Sequence, residues 1–198
     1  MNQDHEPLRG PLSRRDFLKA SAASGVGIWL AGQSSVSRAQ STPHRRRHAN
    51  VGVGIRSQMH QDAIGRTYAE HCEMVALCDT NEGRLRLAQQ RMRRMTDAEV
   101  PVYSAGDFDR MIAETRPDVV IVTTVDGFHH EYIIRAMEAG CDVITEKPLT
   151  TTAEKCQAIV DAQRRTGRKC TVAFNYRYSP PRTQVKDLLM NGVIGDIL

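Results

Sequence analysis

Glu146-Lys147 puts a carboxylate and an ammonium side by side, and Pro148 after them cannot extend a β-ladder. Thr123 and Thr124 close an apolar run upstream, and His129 follows shortly after. A carboxylate, an ammonium, an imidazole and two hydroxyls are the groups of hydrogen bonding and proton transfer. Their value depends on whether the chain brings them together. A Glu-Lys pair at a strand end can equally be an exposed ion pair that stabilises little.

The elements around these residues answer that question. Val119 to Val122 is a wholly apolar, β-branched run, the pattern of a strand buried on both faces of a parallel sheet. Tyr132, Ile133, Ala136 and Met137 then share one helical stripe, which stops at Gly140. Val143-Ile144 opens a second buried strand that runs into Glu146-Lys147-Pro148. Ligands of open α/β sheets bind beyond the carboxyl ends of the strands. Thr123, Thr124, His129, Glu146 and Lys147 are therefore expected in one crevice.

The rest of the chain reads as the remainder of that sheet. A short strand from about His48 to Val51, flawed by Asn50, leads into Gly52-Val-Gly54-Ile55-Arg56-Ser57. This is a G-x-G-x-x-G pattern with Ser57 at the third glycine. Gly52 permits the tight turn, Gly54 lets backbone approach a pyrophosphate, and Ser57 is small enough for helix–strand packing. Gln58 to His71 has only modest helical periodicity and is interrupted by Gly65. Glu73 to Cys78 is an apolar strand ending in Asp79, an acid placed to hydrogen-bond an adenosine ribose and repel a 2′-phosphate. That position favours NAD over NADP. Asp79 could instead serve as a helix cap, as could the Thr80-Asn81-Glu82 that follows. A helix from Glu82 to Met95 should turn Leu85, Leu87, Ala88 and Met92 inward and its arginines to solvent. Val100–Tyr103 is expected as a strand, Asp107–Thr115 as a helix, Ala153–Thr166 as a helix capped by Thr150 to Thr152, and Lys169–Phe174 as the sixth strand. Thr183–Met190 reads as a further helix and 191–198 as the start of another strand. Six strands alternating with helices describe an α/β, doubly wound parallel sheet.

Residues 1–47 read as delivery rather than fold. Ser13-Arg14-Arg15-Asp16-Phe17-Leu18-Lys19 resembles the twin-arginine export signal, and Ala20 to Ser37 is uncharged and mildly apolar. That stretch is a weak candidate for a membrane span. Ser37-Arg38-Ala39 fits the small-x-small cleavage rule, so 1–39 is expected to be removed, with 40–47 as a polar, basic linker. The twin-arginine machinery is then a partner and the destination lies beyond the cytoplasmic membrane. The net charge of +4 belongs to this segment: it holds eight of the 27 basic and three of the 23 acidic residues. The remainder is near neutral, which excludes a nucleic-acid footprint. The five cysteines have no metal-like spacing and read as small buried hydrophobes.

Gly-x-Gly-x-Arg, Asp79, His129 before Gly140, Glu146-Lys147-Pro148 and Asn175-Tyr-Arg-Tyr-Ser-Pro180 together resemble the Gfo/Idh/MocA oxidoreductases. The resemblance covers about residues 48–198. It implies a Rossmann domain over 48–178 and a C-terminal α/β substrate domain, of which 179–198 would be the first residues of a truncated copy. It implies a sugar, polyol or related ring substrate, NAD as cofactor, hydride transfer, and a homo-oligomer for the whole protein. By position, Lys147 would be the catalytic group near the substrate hydroxyl, and Glu146 would contact the nicotinamide ribose. Gly52, Gly54, Ile55, Arg56, Ser57, Asp79, Thr123, Thr124, His129 and Lys147 would line the cofactor crevice, with Arg177 touching cofactor or substrate. Some relatives use NAD without net turnover to cleave glycosides, which leaves that activity and a non-catalytic nucleotide-binding module as alternatives.

Overall fold

A computed structural model describes residues 44–177 and 179–195. The leader, Trp29 within it, the expected cleavage site at Ala39 and the residue Tyr178 lie outside the described residues. Six strands form one parallel sheet in the order β3-β2-β1-β4-β5-β6. They are β1 (Arg46–Val51), β2 (Cys72–Asp79), β3 (Val102–Ser104), β4 (Val119–Val122), β5 (Asp142–Glu146) and β6 (Cys170–Ala173). The order reverses between β1 and β4, so a crevice opens there beyond the strand ends. Side chains alternate across the central strands as a period of two requires. Val120 and Val122 enter the core on one face, with Phe108, Met111, Ile133 and Met137. Ile121 enters the core on the other, with Leu77, Leu85 and Met92.

The first strand begins two residues earlier than expected, inside the basic stretch taken for a linker. Arg46 and Arg47 pair along Cys72 and Glu73 of β2. Their charges are matched there: Arg46 reaches Asp142 at 2.6 Å, Arg47 reaches Glu73 at 3.0 Å, and Asp118 Oδ2 accepts the Arg47 N–H at 2.8 Å. Carboxylates supplied by three other segments turn a polar stretch into strand.

The segment after the glycine turn is composite: a 3-10 turn (Ile55–Ser57), a short α-helix α1 (Gln58–Asp62) and a π-helical turn (Ala63–Thr67). Gly65 explains the weak periodicity. A Cβ there would sit 3.3 Å from that of Met95, so glycine lets this segment press onto the next helix. That helix, α2 (Glu82–Thr96), buries Leu85, Ala88 and Met92. Leu87, expected inward, is 68% exposed, because it falls off the i, i+3, i+7 stripe that the other three define. The remaining helices are α3 (Phe108–Thr115), α4 (His129–Glu138), α5 (Ala153–Thr166) and α6 (Pro180–Met190). Gly140 and Gly167 take positive φ after α4 and α5, and Thr152 caps α5 by accepting the Lys155 N–H. The last helix starts three residues early because Pro180 and Pro181 occupy its first positions, where proline costs no hydrogen bond. Residues 191–194 form turns rather than the start of a strand. No helix among the described residues is long and apolar enough to cross a membrane. Among the described residues the cysteines are free thiols: Cys78 and Cys141 are buried, and the other three partly so. Burial, aided by Asp79, pushes the Cys78 thiol up to about 12.

Candidate functional site

The glycine turn lies at the switch point and is braced from both sides. Gly52 has φ +82°, and its N–H donates to the Cys78 carbonyl at 2.8 Å. A Cβ on Gly52 would stand 2.6 Å from the Thr123 carbonyl carbon and the Thr124 nitrogen, so the end of β4 requires glycine here. Thr123 Oγ1 donates to the Gly52 carbonyl at 2.6 Å and accepts from Asn50 Nδ2 at 3.0 Å. Asn50, which looked like a flaw in the strand, is the buried link between β1 and β4, also donating to the Ile121 carbonyl at 3.1 Å. Ser57 is fully buried. Its hydroxyl donates to the Gly54 carbonyl at 2.7 Å and accepts from Gln61, so it closes the turn as well as fitting the packing. Gly54 faces open space, with nothing within 4 Å of the place a Cβ would take.

Asp79 borders the same turn with both carboxylate oxygens engaged. Oδ2 accepts the Val53 N–H at 2.7 Å and Oδ1 accepts the Asn81 N–H at 2.9 Å. The cap of α2 is Asn81, whose side chain accepts the Arg84 N–H at 3.0 Å. Asp79 therefore welds β2 to the glycine turn, a role its position in the sequence does not announce. A cavity of about 660 Å³ opens in front, walled by Gly52, Gly54, Ile55, Asp79, Arg84 and Phe128 among others. Arg84, expected on a solvated face, reaches this wall.

A second cavity, about 470 Å³, lies at the ends of β4 and β5 and includes Asp126, His129, Glu146, Lys147, Asn175 and Tyr176. Arg56, Thr123 and Thr124 line both cavities, which makes them one continuous cleft. Lys147 is exposed in it, and no acid among the described residues pairs with it. Glu146 is buried and ion-paired with Arg56 at 2.9 Å. Its other oxygen is 3.3 Å from His60 Nε2. His129 is fully buried, with Nδ1 3.0 Å from the Pro148 carbonyl and Nε2 3.0 Å from the Thr124 carbonyl. A neutral imidazole donates to one of these carbonyls and a protonated one to both. Either way the ring ties the end of β4 to the end of β5.

The expected crevice residues thus converge, with three qualifications. Ser57, expected to line the crevice, is fully buried beneath the turn and lines neither cavity. Thr123 spends its hydroxyl on the Gly52 carbonyl, so only its backbone and methyl are left to meet a ligand. Arg177 sits on the turn after β6 and lines neither cavity. Three contributors carried no signal in the sequence. His60 reaches Glu146 across 86 residues. Lys155 Nζ donates to the Gly127 carbonyl at 2.9 Å, and Asn50 has been described above.

The sheet order, the glycine turn at its switch point and the acid ending β2 define a dinucleotide-binding Rossmann domain. A nicotinamide dinucleotide fits these residues. The open face of Gly54 admits a pyrophosphate, and Glu146 Oε2 is a buried oxygen without a hydrogen bond at the other end of the cleft. The chain belongs to the Gfo/Idh/MocA family, an oxidoreductase family with an NAD-binding Rossmann fold, whose sequence profile matches residues 46–174. The profile of the twin-arginine translocation signal matches residues 11–28, so the chain carries an export signal. It is similar to D-glucoside 3-dehydrogenase of Escherichia coli K12, 34% identical over 125 residues, which are 63% of this chain and 34% of the relative. It is also similar to a glycosyl hydrolase family 109 protein of Shewanella sp. strain W3-18-1, 26% identical over 94% of this chain and 44% of the relative. Among solved structures it resembles the WlbA dehydrogenase from Bordetella pertussis in complex with NADH and UDP-GlcNAcA. The TM-score there is 0.62 at 30% identity, covering 75% of this chain and 42% of that one. The chain spans less than half the length of the curated relatives it matches.

Proposed function

We infer that the whole protein is an exported NAD-dependent oxidoreductase that acts on a hydroxyl of a sugar, a polyol or a related ring compound. The observation that carries this is Lys147. Its ammonium stands unpaired among the described residues, beside a buried carboxylate, in a cavity that joins the dinucleotide cavity. When bound, a nicotinamide would supply the hydride acceptor. The chain's own residues do the rest. Lys147 orients the substrate oxygen and moves its proton. Glu146 accepts from a ribose hydroxyl, and the glycine turn accommodates the pyrophosphate. Asp79 supports NAD over NADP, because a carboxylate at the cavity wall repels a 2′-phosphate. Residues 48–178 form the dinucleotide domain in this reading, and 179–198 lead into a substrate domain. α6, which buries none of its residues and leaves Val185, Leu188 and Met190 exposed, supports that division.

The test is a cofactor titration and a dehydrogenase screen over sugars and polyols with the whole protein. NADH should appear with at least one substrate. Lys147→Ala should lower kcat by about a hundredfold or more, the scale of a lost general acid–base group, with NAD affinity little changed. An unaffected Lys147→Ala enzyme would place the chemistry elsewhere. Tighter binding of NADP than NAD would overturn the role given to Asp79. The family 109 relative, which aligns over nearly the whole chain, favours a second reading: a glycosidase that oxidises and re-reduces its sugar on a retained NAD. Cleavage of an aryl glycoside with no NADH released would select it.

A further inference from the structure

A carboxylate at the open end of a parallel strand is ordinarily hydrated, but the Glu146 side chain keeps only 5% exposure. Burying a carboxylate costs free energy unless it finds partners. Two residues from the segment after the glycine turn supply them. Arg56 Nε lies 2.9 Å from Oε2, and His60 Nε2 lies 3.3 Å from Oε1. Burial holds the His60 ring below the ordinary imidazole range, although Glu146 pulls in the other direction. The ring is therefore neutral near pH 7, and the carboxylate selects the tautomer that carries its proton on Nε2. The Arg56 contact is of a different kind. It is an ion pair whose N–H does not point along the line of contact, so Oε2 stays buried with no hydrogen bond. Buried oxygens are rarely left so. One oxygen of Glu146 is thus anchored, and the other is charged, compensated and still able to accept. Lys147, the next residue, is left with no acid partner among the described residues.

We propose that His60 and Arg56 are positioning residues, which hold the Glu146 carboxylate clear of Lys147, with Oε2 kept for a hydroxyl of the ribose that bears the nicotinamide. This rests on the dinucleotide reading given above. It adds a division of labour: Arg56 supplies the charge, His60 fixes the orientation, and Lys147 remains available to the substrate. His60 approaches only the Glu146 end of the cleft and lines neither cavity. Its loss should be felt by one half of the cofactor alone.

The probes are NADH and ADP. ADP carries the adenosine and both phosphates but lacks the second ribose. Each is titrated against the whole protein, following the fluorescence of NADH and competition by ADP. His60→Leu removes the donor at nearly constant volume, and should weaken NADH by about tenfold, the scale of one hydrogen bond to a charged group. ADP should change less than twofold. His60→Gln restores an N–H donor and should recover most of the NADH affinity. Glu146→Gln should show the same preference for harming NADH. Equal weakening of NADH and ADP by His60→Leu would reduce His60 to a packing residue, and so would failure of His60→Gln to rescue. Unchanged NADH affinity in both the His60→Leu and Glu146→Gln proteins would also overturn the proposal. An unmodified protein that binds neither NADH nor ADP would remove the dinucleotide reading itself, a result distinct from all of these.

Discussion

The two glycines of the turn do different work, and substitution should separate them. Gly52 combines positive φ with a backbone neighbour at 2.6 Å, so Gly52→Ala has no room to relax. It should cost roughly 2–4 kcal/mol of stability, read as a lower urea midpoint at unchanged m-value. Gly54 has φ −72° and open space beside it. Gly54→Ala should leave the urea midpoint nearly unchanged and weaken dinucleotide binding instead, because the methyl occupies the approach to the pyrophosphate. Equal stability loss in both variants would contradict this assignment. His48, buried, and His60, half-buried, contribute to the response to acid. Burial lowers the imidazole pKa of His48 and of His60 below the ordinary 6.5. The unfolded chain then binds more protons than the folded one between those lowered values and 6.5. Stability is therefore fully present above about pH 6.5 and falls as pH drops through that window. The thermal midpoint should decline from pH 7 to pH 5, and His48→Gln should flatten part of the decline.

At the scale of elements, the parts most legible in the sequence are those governed by one local rule. Val119–Val122 is apolar on both faces because both faces are covered. Thr152 and Gly167 bracket α5, and Ile133, Ala136 and Met137 of α4 are buried on their stripe. The parts that were not legible depend on distant partners. Arg46 and Arg47 become strand only because Glu73, Asp118 and Asp142 arrive from elsewhere. Gly65 breaks a helical pattern only to admit Met95. Asn50 weakens the reading of β1 yet joins β1 to β4 through the Ile121 carbonyl and Thr123. The same split holds in the site. Glu146, Lys147 and Asp79 are placed by strand ends and could be read directly. His60, whose partner is 86 residues away, could not. Asn50→Leu tests this reading of β1. Volume is kept, but two acceptors in the core lose their donor, which should cost about 1–3 kcal/mol in urea unfolding. A neutral Asn50→Leu would show that the link contributes nothing.

The whole molecule couples an export signal to a dinucleotide-binding domain. A reporter fused behind residues 1–47 should cross the cytoplasmic membrane, and Arg14→Lys with Arg15→Lys should hold it back; undiminished export of the double variant would refute the assignment. Processing has its own signature. Trp29 is the sole tryptophan of these 198 residues, so in a chain of this length cleavage near Ala39 should abolish indole emission while tyrosine emission persists. The polarity of the sheet adds a spatial consequence. All six strands run in parallel and the cleft lies at their carboxyl ends, so the amino end of β1 is at the opposite pole of the domain. Arg45 already donates to the Cys72 carbonyl there, and Arg46 is paired. A dinucleotide seated in the cleft would therefore lie at the pole opposite the start of β1, and residues inserted ahead of Arg45 should leave its affinity unchanged.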